Sequence, residues 1–211
     1  MARPFFNSPT LIAIVAGLCG GLIVANYFRT SSEPEIYNLN APTAQSVVTV
    51  LPEITLPDLS GNVRSVSEWY GRPLIVNFWA TWCAPCRREM PILQLTHDAA
   101  GAVGPIVIGI AVDRSDDALT YVTESGYTYP MLVGQQEALD ITELFGFDFL
   151  GLPFTVFTTA TGEILTVHVG ELHAEQLAIY LNIYKRLENQ EIKIDSARQQ
   201  MAAVHQTQDP A

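Results

Sequence analysis

Two cysteines separated by two residues, Cys83-Ala84-Pro85-Cys86, follow an unbroken apolar run, Leu74-Ile-Val-Asn-Phe-Trp79, and open a stretch with helical character. The run reads as a buried strand, so the cysteines fall where a strand turns into a helix, the setting in which a C-x-x-C pair acts as a redox site. At a helix amino terminus the unpaired backbone N–H groups and the positive end of the dipole favour an anion. An unperturbed thiol, with a pKa near 8.5, is about 3% ionised at pH 7; lowering the pKa to about 7 makes it half ionised. Cys83 is therefore the expected nucleophile. Cys86 lies one helical turn further on and inward, placed to attack a mixed disulfide on Cys83 and release the bound substrate. Pro85 falls in the first turn, where its missing N–H costs little and its fixed φ stiffens the loop.

The same alternation of apolar runs and turn residues organises the chain from about residue 51 to 188. Glu53–Leu56, a turn at Ser60-Gly61-Asn62 and Val63–Val66 read as a hairpin, preceded by a possible edge strand at Val47–Val50. A helix follows from about Cys83 to His97, with a kink expected at Pro91. Ile106–Val112 is a β-branched central strand and Ser115–Ser125 a helix closed by Gly126. Tyr129–Val133, Phe154–Thr158 and Ile164–Val169 are further strands, Glu137–Phe145 a short helix, and His173–Leu187 an amphipathic helix with Leu177, Tyr180, Leu181 and Tyr184 on one face. Strand–helix–strand order implies an α/β domain with a partly parallel sheet. Residues 189–211, rich in Gln and Ala, read as a frayed, flexible tail.

Composition narrows the partners. Eleven Lys and Arg against 22 Asp and Glu give a net charge of −11, the wrong sign for neutralising nucleic-acid phosphates. Three cysteines cannot build a disulfide scaffold. Thr10–Phe28 holds no charged residue, and its 19 positions as a helix span roughly 28 Å, close to the hydrocarbon thickness. Its length favours an uncleaved transmembrane anchor over a cleaved signal peptide. Arg3 and the free amine favour a cytoplasmic amino terminus (1–9), with a polar linker (29–50) and the folded domain on the other side. The exported part then carries −13, which disfavours electrostatic recruitment to anionic lipid. Cys19, mid-span, reads as a packing residue.

The segment NFWATWCAPCRREMP, followed about 65 residues later by GLPFTVF, resembles the thioredoxin superfamily and within it the membrane-anchored TlpA/ResA-like thiol-disulfide oxidoreductases. The resemblance covers residues 51–188. It implies a central mixed sheet flanked by helices with an amino-terminal hairpin extension, no cofactor, and reduction of disulfides in exported clients, apocytochromes c or copper-site proteins of respiratory oxidases, by electrons from a membrane thiol donor. It also assigns residues. The buried Asp that thioredoxins carry on the strand before the motif corresponds here to Asn77, which cannot titrate. Glu89, three residues after Cys86 on the same helical face, matches the acid of the TlpA/ResA branch and would serve as base for Cys86. Pro153 matches the family's cis-proline opposite the cysteines, with Trp82, Ala84, Pro85, Leu152 and Phe154 lining a substrate groove. The family often has Thr after this proline, and its cytochrome-dedicated branch an acidic residue; here Phe154 follows.

Other readings are weaker. Trp79 reads as core, and Arg87 and Arg88 as a solvated helix face. His168 and His173 have a zinc-like spacing, but 81 residues lie between Cys86 and His168, and the strand-to-helix reading puts both histidines at the far end of the domain. No metal site is expected. A copper-handling role for the cysteine pair, or action as a dithiol oxidase, remains as the alternative. A peroxiredoxin T-x-x-C motif fails because Ala80 stands where Thr is needed.

Overall fold

The computed structural model of the chain describes residues 48–145 and 151–206, all within one compact unit, Ala44–Ala211. The expected span Thr10–Phe28 and its cytoplasmic flank lie outside the described residues, as does nearly all of the linker. Among the described residues no helix is long and apolar enough to cross a membrane.

Strand β3 (Leu74–Trp79) is the axis of a five-stranded mixed sheet, and all six of its residues are buried. It runs parallel to β4 (Ile106–Val112), from Leu74 opposite Ile106 to Trp79 opposite Ala111, and β4 runs parallel to β5 (Met131–Gly134). On its other side β3 is antiparallel to β6 (Phe154–Thr158), which is antiparallel to β7 (Ile164–Val169), giving the order β5-β4-β3-β6-β7. The unbroken apolar character of β3 and β4 follows from their burial on both faces. β5 begins later than its apolar pattern, because Pro130 has no N–H to give the ladder. The hairpin β1 (Thr55–Pro57) and β2 (Val63–Ser65) closes over Asp58, whose carboxylate accepts from Ser60 N (2.8 Å) and Asn62 N (2.9 Å). Of the edge strand expected at Val47–Val50, Val47 lies outside the described residues, and the described part forms one bridge, Val50 to Glu163.

Helix α1 (Ala84–Ala99) connects β3 to β4 and continues through Pro91; α2 (Ser115–Ser125) ends on Gly126 at φ +72°, the left-handed position that glycine takes without strain. α3 (Gln136–Glu143) precedes the second half of the sheet and α4 (Ala174–Glu188) follows β7. Alternation along β3 divides the core in two. Ile75 and Trp79 face α1, α2 and α4, whereas Leu74, Val76 and Phe78 face α3 and the hairpin.

The chain does not fray after Glu188. Gln190, at φ +60°, turns it back, and α5 (Ile194–Gln206) packs on α4 and β7 with Ala197, Met201 and Val204 buried. Arg198 Nε donates to Ile164 O (3.0 Å) and Arg186 Nη1 to Gln200 Oε1 (2.7 Å). The flexible tail expected over 189–211 is corrected for 189–206, residues 207–211 lying outside the described residues: apolar residues at i, i+4 and i+7 make a stripe that the surrounding Gln and Ala residues hide in a composition count. Truncating Met201 to Ala should therefore lower stability by about 2–5 kcal/mol, read from the midpoint of chemical denaturation; a loss near zero would mean that α5 adds nothing to the core.

Candidate active site

The strand-to-helix turn is held on both sides. Thr81 N and Oγ1 donate to Asp113 Oδ2 (2.8 and 2.6 Å), Asp113 being the first residue after β4, and the Arg87 guanidinium donates to the Thr81 carbonyl. The short segment between β3 and α1 is thus fixed to the neighbouring strand and to the helix it precedes. Cys83 is the N-cap of α1: its backbone is extended (φ −87°, ψ 105°) and its Sγ accepts from Cys86 N at 3.3 Å. The helix end that sequence reasoning assigned to thiolate stabilisation is therefore aimed at the Cys83 sulfur. Cys83 and Cys86 are joined as a disulfide with Cα atoms 5.3 Å apart. Cys83 keeps 5% exposure and Cys86 none, while the neighbouring Trp82 is 67% exposed. An incoming partner sulfur can approach the first cysteine and not the second.

Behind Cys86 on the buried face of α1 sits Glu89, 1% exposed. Both its oxygens are engaged: Asn77 Nδ2 donates to Oε1 (2.6 Å) and Leu172 N to Oε2 (2.6 Å). These donors favour the carboxylate, but burial outweighs them and, with the nearby Glu171 charge adding in the same sense, pushes Glu89 up to about 7. A carboxyl poised there is half ionised near neutral pH and can take or return a proton. The turn after β7 supports it. Gly170, at φ +93°, donates from N to Pro153 O (2.9 Å); Glu171 takes the Arg88 guanidinium on both carboxylate oxygens, including Nε to Oε2 at 2.9 Å; Leu172 then presents its N–H to Glu89. The pairing with Arg88 holds the Glu171 carboxyl below its ordinary value. Arg87 is thus tied to the Thr81 backbone carbonyl and Arg88 to the Glu171 carboxylate, rather than both being simply solvated.

The Leu152–Pro153 peptide is cis. Because β6 is antiparallel to β3, Pro153 at the start of β6 lies at the end of the sheet where β3 gives way to the cysteines. Leu152 is half-buried beside it, and Ala84 and Pro85 are exposed and half-buried in the first turn of α1. Phe154 is a correction. Its ring is buried on the opposite face of the sheet, stacked on Phe78 with centroids 4.3 Å apart and edge-on to Phe145, because β6 starts at 154 and alternation sends that side chain away from α1. The histidines are a second correction. His168 lies not at the far end but on β7 opposite Thr155, which is opposite Asn77, so the three occupy one cross-strand row on the α1 side. His168 Nε2 donates to Glu171 O (3.3 Å), leaving Nδ1 paired with the Tyr180 hydroxyl (3.3 Å); His173 is the residue before α4. Sequence reasoning missed Asp113, Thr155 and the Leu172 amide. Of these only Leu172 had a local signal, the glycine two residues before it.

A reactive sulfur at a helix terminus, a buried partner sulfur and a titratable acid behind it, on a thioredoxin-like mixed sheet, define a thiol-disulfide oxidoreductase. The chain belongs to the AhpC/TSA family, whose model matches residues 47–165. Among its relatives, the thiol-disulfide oxidoreductase ResA of Geobacillus kaustophilus is 27% identical over 184 residues, 87% of this chain and 97% of the relative. The solved thioredoxin-family thiol:disulfide interchange protein of Chlorobium tepidum superposes with a TM-score of 0.57 at 27% identity, covering 65% of this chain and 94% of that one. A secreted thiol-disulfide isomerase from Corynebacterium glutamicum gives 0.55 at 30% identity over 60% and 80% of the two chains.

Two outcomes follow from this geometry. In the reduced protein Cys83 should be alkylated faster than Cys86, with an apparent pKa well below 8.5; equal rates would remove the assignment of the nucleophile. Glu89 should mark the pH dependence of stability. Its folded pKa lies above the unfolded 4.5, so stability present below 4.5 is lost as pH rises through 7. At about 1.4 kcal/mol per unit, Glu89→Gln should lose roughly 3 kcal/mol less than the parent between about pH 4 and pH 8, measured by denaturation at each pH.

Proposed function

We propose that the protein is a membrane-tethered reductant of disulfides in exported client proteins, held by residues 10–28 with its thioredoxin-like domain outside the cytoplasm. The observation that carries the reductive cycle is the pairing of an accessible sulfur at the N-cap of α1 with a buried sulfur that has its own acid, Glu89. Cys83 thiolate attacks one sulfur of a client disulfide; an S–S bond to the client forms, the client's own S–S bond breaks, and one client thiolate leaves. Cys86 then gives its proton to Glu89, its thiolate attacks Cys83 Sγ, and the second client thiolate departs as the Cys83–Cys86 disulfide closes. Two electrons have passed from the protein to the client. A membrane thiol donor restores them by the reverse exchange.

The resemblance to ResA supports clients of the kinds that branch handles: apocytochromes c, whose C-x-x-C-H cysteines must be reduced before haem attachment, or proteins with cysteine copper sites. Trp82 and Leu152 flank the sulfurs, and the backbone before Pro153 offers an edge on which an extended client segment can pair. The 67% exposure of Trp82 supports a contact made and broken with each client.

Replacing Cys86 with Ala in the native host removes the resolving sulfur, so mixed disulfides on Cys83 should accumulate. Mass spectrometry of the trapped species should recover exported proteins with paired cysteines; a trap that holds only small thiols, or cytoplasmic proteins, would overturn the client assignment. The Glu89→Gln variant should resolve a preformed mixed disulfide about 10- to 100-fold more slowly near neutral pH, with the defect shrinking at higher pH where Cys86 ionises unaided. Resolution at the parental rate would leave Glu89 without a part in the exchange.

A further inference from the structure

Glu89 must be held both with and without its proton, yet each of its oxygens faces an N–H donor: Asn77 Nδ2 at Oε1 and Leu172 N at Oε2, both at 2.6 Å. That arrangement suits the carboxylate. When Cys86 delivers its proton, the new O–H has a donor opposite it on either oxygen. Leu172 N belongs to the backbone and is fixed by the Gly170–Pro153 and Arg88–Glu171 contacts on the same turn. Asn77 is different. Its Nδ2 also donates to Thr155 Oγ1 (3.0 Å), while its other polar atom, Oδ1, is buried with no hydrogen-bond partner.

Resting on the reading of Glu89 as the base for Cys86, we infer that Asn77 is a positioning residue whose side-chain amide turns over as Glu89 takes up a proton, offering N–H to the carboxylate and C=O to the acid. A half-turn about χ2, a broad and roughly two-fold torsion for Asn, places Oδ1 where Nδ2 stood. From that point Oδ1 accepts the Glu89 O–H. It also accepts from Thr155, whose hydroxyl rotates from acceptor to donor. The planar amide fits the same space either way: in the acid state Oδ1 gains two partners, and Nδ2 takes the buried position without a hydrogen-bond partner that Oδ1 held in the carboxylate state. The proton itself moves from Cys86 Sγ to a Glu89 oxygen and leaves by the reverse step or to solvent; Asn77 carries none.

The other titratable and charged groups around Glu89 do not replace this role. Cys86 is the proton's source and Arg88 is taken up by Glu171; both lie on α1. Glu171, in the turn after β7, acts on Glu89 through its charge, as Glu89 acts on the phenol of Tyr129 ahead of β5, whose hydroxyl burial holds well above its ordinary value. His168 on β7 and Tyr180 on α4 face one another at the end of the cross-strand row. Asn77 and Thr155, 0% exposed, stand between that pair and Glu89.

The test is a pH titration of the reduced full-length protein by NMR, with the Asn side-chain amides and Glu side-chain carboxyls labelled. The Asn77 amide should titrate with the same midpoint as the Glu89 carboxyl carbon, near 7. Its N–H contact with the Thr155 side chain should be present above that midpoint and lost below it. An amide that keeps the contact at every pH would overturn the inference while leaving Glu89 free to act as a base. Asn77→Leu, close in shape but without either polar atom, should slow mixed-disulfide resolution at pH 7 by about 10-fold, leave Cys83 alkylation at the parental rate and move the pH profile of resolution. A parental profile would count against Asn77. The amide titration needs no variant to fold, and parental resolution by Glu89→Gln would identify failure of the base assignment rather than of the amide.

Discussion

A carboxyl group has been placed in the core directly behind a disulfide, and much of the domain's local architecture answers the cost of putting it there. An unpaired buried carboxylate would cost several kcal/mol. Here strand β3 supplies one donor through Asn77, and the turn after β7 supplies the other through the Leu172 amide. Neither is local to Glu89: α1, β3 and the β7–α4 turn meet only after the sheet has formed. The turn is held in its own right by Gly170 on the Pro153 carbonyl and by Glu171 on Arg88. The three-residue segment Gly170–Leu172 is therefore bonded at one end to the Pro153 carbonyl and at the other to the acid. A displacement at Pro153 would be felt at Glu89 without a long path between them.

The two sulfurs are made unequal by the same placement. Cys83 is the N-cap of α1, so an anion on its sulfur faces the Cys86 backbone N–H and the positive end of the helix dipole. Cys86, three residues on, points into the layer between α1 and the sheet, where burial disfavours a thiolate. Left alone, Cys86 would resolve a mixed disulfide slowly and the client would stay attached. In the exchange proposed above, the acid on the next turn of the same face takes the Cys86 proton. Its own desolvation, which raises it to about 7, is what makes it a useful acceptor rather than a permanent anion.

Sequence patterns identified the parts of the structure that depend on local periodicity. β3, β4, β6 and β7 match the apolar runs that predicted them, and α2 ends at the glycine that its pattern required. The C-x-x-C pair, Glu89 and Pro153 were legible because motif spacing and family resemblance fix them within a few residues of recognisable punctuation. What stayed hidden depends on tertiary meeting. Asp113, which anchors Thr81, looks like any acidic residue after a strand. α5 carries its apolar stripe among Gln and Ala, and only the groove left between α4 and β7 shows what the stripe is for. Phe154 was misplaced because adjacency to a site proline says nothing about which face of the sheet the next side chain takes. The histidines were misplaced because β7 returns its carboxyl end to α1, a consequence of sheet order and not of distance along the chain.

Asn77 also bears on why the acid sits on the helix. Had position 77 carried a carboxyl group 2.6 Å from Glu89, the two would share protons and titrate as a coupled pair, one step pushed up and the other down. Neither step need then fall near neutral pH. With an amide at that position only one group in the contact titrates, and its value is set by desolvation against two N–H donors. Moving the proton acceptor from strand to helix also changes its neighbour. On α1 it lies one turn from Cys86 in the same element, so the helix sets its spacing from that sulfur, whereas its two donors come from β3 and the turn after β7. The proton affinity of the site can thus be adjusted through Asn77 and Leu172 while the spacing of Cys86 and Glu89 along α1 stays fixed, a separation of tuning from positioning that a strand-borne acid packed against the helix would not have.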